Sequence, residues 1–208
     1  IIHRPGAKKI SRLVWGGLTL QNEKTAASTT ERERMWFARL ILRGQRGLEI
    51  ALLDPRRFAK VWLSDEPLKH PRIQKLGADP LVKFYTLREL TQILQRRKLP
   101  IKALLLDQTL FAGVGNWLAD EILFQARIAP QRPANQLKTA EVQVLRRKIL
   151  SVIRKAVQVD ADYDRFPKAW LFHHRWGKNK SAKTSRGLAI RHDEIGGRTA
   201  AWVPSWQN

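Results

Sequence analysis

The stretch DQTLFAGVGNWLADEILFQARIAP, from Asp107 to Pro130, decides how the rest of the chain reads. Ala112-Gly113-Val114-Gly115 is a run of small residues, which predicts a tight turn that delivers Asn116 to a helix start. Leu118, Ile122 and Ala126 then recur on one helical face, and the helix ends after Arg127, ahead of Pro130. Glycines let a backbone come close to a ligand, and the free N–H groups and dipole of a helix start favour a phosphate. Asn116 suits either role open at such a place, capping the helix or donating to a phosphate oxygen. On these residues alone a plain helix–turn–helix and a phosphate-gripping turn both stand.

Working outward, helices flank this segment. Thr86 followed by Glu89 is a capping box that opens a helix from Leu87 to Lys98, closed by Pro100, and a short helix covers 101–108. Val142, Leu145, Ile149, Val152, Ile153 and Ala156 keep the helical period, with Arg146, Arg147, Arg154 and Lys155 on the polar side. Upstream, residues 10–63 read as strands. Leu48 to Leu53 is an apolar run, Asp54-Pro55 a turn, and Lys60 to Leu63 a further strand, while Glu31 to Arg39 suits helix or strand. Residues 64–85, with Pro67, Pro71 and Pro80, read as a connector. At the far end, Leu188 to His192 and Thr199 to Val203 flank Gly196-Gly197 as a hairpin, and Trp202, Val203 and Trp206 predict a packed face.

The charge says what this scaffold meets. The 208 residues carry 39 Lys plus Arg against 18 Asp plus Glu, a net charge of +21. Such an excess destabilises a compact chain by self-repulsion unless a polyanion lies against it. It is uneven: +8 over residues 1–60, +4 over 61–137 and +9 over 138–208, so the flanks are the stronger candidates for gripping phosphate. With 43% apolar residues and eight Trp, the chain is no disordered basic tail. Its longest apolar run, Ala103 to Leu110, is broken by Asp107, and the opening Ile1-Ile2-His3-Arg4 turns polar at once, so neither a membrane span nor a signal peptide is expected. Without cysteine, and with His3, His70, His173, His174 and His192 off ligand spacing, no metal and no cofactor are expected.

The longer pattern LLDQTLFAGVGNWLADEILFQARIAPQRPANQL resembles the helix–two-turn–helix of the formamidopyrimidine-DNA glycosylase and endonuclease VIII family. LLDPRRFAKVWL resembles the family's Asp-Pro-Arg-Arg-Phe-Gly turn, LGADPL its Leu-Gly-Pro-Asp-Pro-Leu, and GGRTAAWVPSWQ its final hairpin, all in the same order. The resemblance covers about 48–208 well and 4–47 weakly. It implies an α+β fold in three parts: a partial N-terminal β-sandwich domain (1–85), a helix–two-turn–helix DNA-binding domain (86–160) and a zincless finger hairpin (161–208). It also implies a partner, damaged double-stranded DNA, bound by a monomer inside the cell, in the nucleus of a eukaryote or the cytoplasm and nucleoid of a bacterium.

Residue by residue, the family's roles fall as follows. Asn116 would hold the phosphate beside the lesion. Arg56 would fill the gap left by the flipped base, with Phe58 wedged into the stack, because base extrusion leaves an unstacked hole to fill. Lys102 matches a lysine near the damaged base, Arg198 the hairpin arginine that reaches the backbone phosphates, and His3 a phosphate-contacting histidine.

Two departures qualify the match. Many relatives build the hairpin on four cysteines and a zinc; here Val203 and Trp206 stand among those positions, as in the zincless branch. The family's nucleophile is an N-terminal Pro, followed by a Glu acid, and a Lys on an early strand assists. None of the three has a counterpart, for Pro5 precedes Gly6, and Arg4-Pro5-Gly6-Ala7 replaces a Gly-Met turn. Either the catalytic segment lies outside this sequence or the chain is a shortened relative. The expectation is a base-excision glycosylase and abasic-site lyase for oxidised bases, with Lys102 a candidate for slow Schiff-base chemistry. A non-catalytic damaged-DNA binding module is the alternative, and an RNA-binding protein would leave the wedge turn and hairpin without a role. The lesion preferred is not written in these motifs.

Overall fold

Short extended segments early in the chain pair into one antiparallel sheet, ordered β3-β2-β1-β5-β4, with apolar runs only in its last two strands. Its strands are β1 (Ile2–His3), β2 (Ser11–Arg12), β3 (Gln21–Asn22), β4 (Ala38–Arg43) and β5 (Glu49–Leu53). In β4 and β5, Leu40 faces Leu52 and Leu42 faces Ile50, with an irregularity between Ala38 and Leu40. The computed structural model describes residues 2–3, 11–12, 21–22, 38–43, 49–54, 56–177 and 181–208. Leu48, the turn Arg4 to Ala7, and Glu31 to Phe37 lie outside them; Ala38 and Arg39, the end of the ambiguous stretch, are strand. The chain divides into two units, 1–65 and 66–208.

One expected strand is missing. Lys60 to Leu63 carries no ladder and its side chains are exposed, Leu63 fully. The turn before it accounts for this. Asp54 holds the turn through its side chain, which accepts from Ala59 N–H at 2.6 Å, and Arg57 sits at φ 59°. The chain therefore leaves β5 at an angle set by the turn, without folding back as a hairpin partner.

The second unit is helical, then hairpin. A 3₁₀ turn (Pro67–Lys69) and α1 (Pro71–Gln74) occupy the connector. The capping box forms as expected: Thr86 Oγ1 accepts from Glu89 N–H, and Glu89 Oε2 from Thr86 N–H at 2.8 Å, opening α2 (Leu87–Gln95). This helix stops three residues short of the expected Lys98. The carbonyls of Arg97 and Leu99 instead accept from Asn135 and Ala134 N–H, which draws the chain out of the helix. Next come α3 (Ile101–Leu105), α4 (Asn116–Ala126) and α5 (Thr139–Gln158).

α4 is the centre of the unit. Its sequence pattern predicts a single apolar face, yet Ala119, Asp120, Glu121, Ile122, Leu123 and Ala126 are all buried. The cause is that α5 packs on one side of it while the hairpin and a 3₁₀ turn (Leu171–His173) pack on others. Leu145, Ile149 and Val152 of α5 join Leu90, Leu94, Leu104, Phe111, Ile122 and Leu123 in the main core. A smaller cluster of Leu171, Ile190, Ala201 and Val203, with Phe124 and Trp206 against it, seats the hairpin.

That hairpin is β6 (Arg191–Ile195) and β7 (Arg198–Trp202). The turn is where the sequence puts it, but the first strand lies three residues later than the expected Leu188 to His192. A two-residue connection fixes the offset, since Gly196 (φ 61°) and Gly197 (φ 70°) both adopt the left-handed region of a hairpin turn and Ile195 pairs with Arg198. The packed face is present: Trp202 and Val203 are buried, Trp202 Nε1 donates to Asp193 at 2.7 Å, and the Arg127 guanidinium lies 3.8 Å over the Trp206 ring. The α+β expectation holds. Among the described residues no helix is long and apolar enough to cross a membrane.

Candidate nucleic-acid interface

The small-residue turn before α4 is built as its composition suggests. Gly113 takes φ 82°, and its N–H donates to Gln108 Oε1 at 2.9 Å, so the Gln108 side chain braces the turn. A second Gln108 bond, from Nε2 to the Val114 carbonyl, completes the brace. A Cβ on Gly113 or Gly115 would meet nothing within 4 Å. These glycines therefore leave open surface at the helix start, and no side chain caps the helix there. The first N–H groups of α4 and the positive end of its dipole face that opening.

Asn116 is not the cap. Gly115 holds that position, and Asn116 is the first helical residue. Its Nδ2 donates to the Thr199 carbonyl at 3.0 Å, tying the helix start to β7. An amide nitrogen carries two hydrogens, and this bond uses one of them; the Asn116 Oδ1 is buried without a partner. Arg198, exposed at the foot of β7, is the residue next to that carbonyl. The fold thus brings together two residues that are 82 positions apart in sequence.

Lys102 meets the same carbonyl from the interior. It is fully buried, with Nζ 2.6 Å from Asp120 Oδ1 and 2.7 Å from the same Thr199 carbonyl. Burial pulls its ammonium below the usual lysine range, and the charge of Asp120 opposes the shift. Asp120 Oδ2 in turn accepts from Arg175 at 2.6 Å and 3.1 Å and from Ala201 N–H at 3.1 Å. One buried carboxylate therefore joins α3, α4, the segment after the 3₁₀ turn and the hairpin. A close approach adds to it, for a Cβ on Gly196 would stand 2.8 Å from Ala103 Cβ.

In the first unit, Arg56 and Phe58 sit together on the turn after β5. The Arg56 guanidinium lies 5.5 Å over the Phe58 ring, which is 76% exposed. A large exposed aromatic with a cation on it has no core to serve, in keeping with a side chain kept for a ligand. His3 ends β1, its backbone paired with Glu49; its side chain lies outside the described residues. Asp120 and Arg175 were missed from sequence. Two adjacent acids in the otherwise apolar run LADEILF were the available signal, because a buried charge needs a partner, but nothing in the spacing names Arg175.

This arrangement has relatives. The family profile for the formamidopyrimidine-DNA glycosylase H2TH domain matches residues 76–167. A formamidopyrimidine-DNA glycosylase of Parasynechococcus marenigrum is 30% identical over 203 residues, covering 89% of this chain and 68% of that protein. The chain belongs to the formamidopyrimidine-DNA glycosylase family. A member from Arabidopsis thaliana is 40% identical over 185 residues, 89% of this chain. The chain spans 47% of that plant protein, about half its length. Among solved structures, the Lactococcus lactis formamidopyrimidine-DNA glycosylase bound non-covalently to DNA containing an abasic site superposes with a TM-score of 0.67 at 26% identity, over 81% of this chain and 64% of that one. Like that glycosylase, other structural neighbours in the family were solved on damaged DNA.

Proposed function

We propose that these residues form the DNA grip of a base-excision-repair glycosylase with abasic-site lyase activity, acting on oxidised bases in duplex DNA. The observation that carries the reading is the uncapped start of α4, opened by Gly113 and Gly115, with Asn116 bonded to the strand that bears Arg198. A phosphate seated there would meet backbone N–H groups, a helix dipole, an amide and a guanidinium. Arg56 and Phe58 would fill the stack after base extrusion, and His3 would add a phosphate contact. Within this reading the proposed parts are the domain at 1–85, the helix–two-turn–helix at 86–160 and the finger at 161–208, acting as a monomer.

A second reading, binding of damaged DNA without chemistry, is favoured by one observation: Lys102, the lysine nearest to a nucleophile's role, is enclosed by Asp120 and Thr199. Borohydride trapping on an abasic-site duplex separates the two. A covalent adduct supports the lyase, and tight binding with no adduct supports the binding module. The grip itself is tested by Asn116→Ala, expected to weaken lesion-duplex binding by about 1–3 kcal/mol in a fluorescence-anisotropy titration. Unchanged affinity would remove the phosphate role from Asn116.

A further inference from the structure

α5 presents a second basic surface, on the side turned away from α4. Val142, Leu145, Ile149, Val152 and Ala156 face the core. At 100° per residue, Gln143, Arg147, Ser151 and Arg154 fall on the opposite side. There a groove of about 360 Å³ runs between α5 and the start of α2, lined by Leu87, Gln143, Arg146, Arg147, Leu150, Ser151 and Arg154. Leu87 and Leu150 make an apolar floor, and three guanidinium groups stand around it. Among the described residues no carboxylate lines the groove. The one acid on α5, Glu141, is held elsewhere, paired with both terminal nitrogens of Arg132 at 2.6 Å and 2.8 Å. Arg146 is fixed in place, its Nε donating to the Tyr85 carbonyl at 2.6 Å with its terminal nitrogens left over.

We infer that this groove docks an acidic, amphipathic peptide segment of a partner protein. Charge complementarity sets the sign of the occupant, since three cations without a local counterion attract carboxylates. Spacing sets its form. Arg147 and Arg154 are two helical turns apart, roughly 10 Å, a separation matched by carboxylates seven residues apart on a docked helix. The floor sets its class. An apolar side chain between those carboxylates would cover Leu87 and Leu150, whereas a nucleic-acid backbone offers phosphates and nothing apolar to fill it. Docked here, a partner would leave the start of α4 free, so the protein could hold both at once.

The test uses the whole chain and a fluorescein-labelled helical peptide bearing glutamates seven residues apart with leucines between them, read by anisotropy. Arg147→Glu with Arg154→Glu is expected to weaken peptide binding by about tenfold or more, and Leu150→Ser by several-fold, with lesion-duplex affinity unchanged in both. The unchanged duplex affinity also shows that the variants fold. Three results would overturn the proposal: peptide affinity indifferent to these substitutions, a peptide with serines for leucines binding equally well, or duplex affinity falling in step with peptide affinity. The last would make the groove part of the DNA grip.

Discussion

Asp120→Ala is expected to destabilise the second unit by about 3–5 kcal/mol, the usual result of removing one partner from a buried ion pair. Asp120 is the only carboxylate touching Lys102 and Arg175 among the described residues, and both cations are buried. Its loss strands two charges and one backbone donor, the Ala201 N–H. The attraction within such a cluster does little more than offset the desolvation of its members. Replacing Lys102, Asp120 and Arg175 together by apolar residues of similar volume should therefore recover most of the loss. Urea unfolding of the single and triple variants measures both. A loss below about 1 kcal/mol for Asp120→Ala would mean that water reaches the cluster, in conflict with its burial. Affinity for lesion DNA should fall in the single variant even where it remains folded, because Asp120 and Lys102 hold the strand that presents Arg198.

The neighbouring residue yields the second large effect, on the pH dependence of stability. Glu121 is fully buried, accepting from Gln125 Nε2 at 2.8 Å and from Phe172 N–H at 2.9 Å. Burial pushes its carboxyl up to about 7; the hydrogen bonds from Gln125 and from the Phe172 and Leu171 N–H groups oppose this, and the charge of Asp120 adds to it. The folded protein thus holds the proton more tightly than the unfolded chain. The stabilisation is full below the ordinary carboxylate range and is lost as pH rises through about 7. Its size is on the order of 3 kcal/mol. Glu121→Gln keeps an acceptor for the Phe172 N–H and removes the titration, so its advantage over the parent should grow between pH 5 and 8, roughly the window of that shift. The difference between the two proteins cancels the histidines. Glu141, whose carboxyl is held below the usual range by Arg132, loses its stabilising effect only at lower pH. Parallel stability profiles for parent and variant would show that Glu121 is charged throughout.

Much of the helical unit was legible because its signals are local. Thr86 and Glu89 announce their helix by chemistry that acts within one turn, and Gly196-Gly197 announces its hairpin because the tight two-residue loops need positive φ, which glycine adopts at little cost. Lys60 to Leu63 misled for the opposite reason. Its residue types suit a strand, but a strand needs a partner, and the Asp54 turn directs the chain away from one. The site was half legible. Asn116 and its glycines lie in one run, whereas the bond from Asn116 to Thr199 and the cluster at Asp120 depend on which segments meet in space. No periodicity encodes that meeting. Lys102, which the family resemblance puts near a damaged base, is in this fold an interior tie to Asp120 and Thr199.

The Thr199 carbonyl is a single oxygen that accepts from both Lys102 and Asn116, one donor in each of two helices. A joint of this kind has no slack. If Asn116 and Arg198 close on one phosphate, as proposed, the place of that phosphate is dictated by the protein and the duplex must bend to fit it. The work of bending then falls on the DNA, and it is smallest where a damaged or mismatched pair has already weakened the stack. Part of the preference for damage would thus be read as pliability of the double helix, before any base is examined.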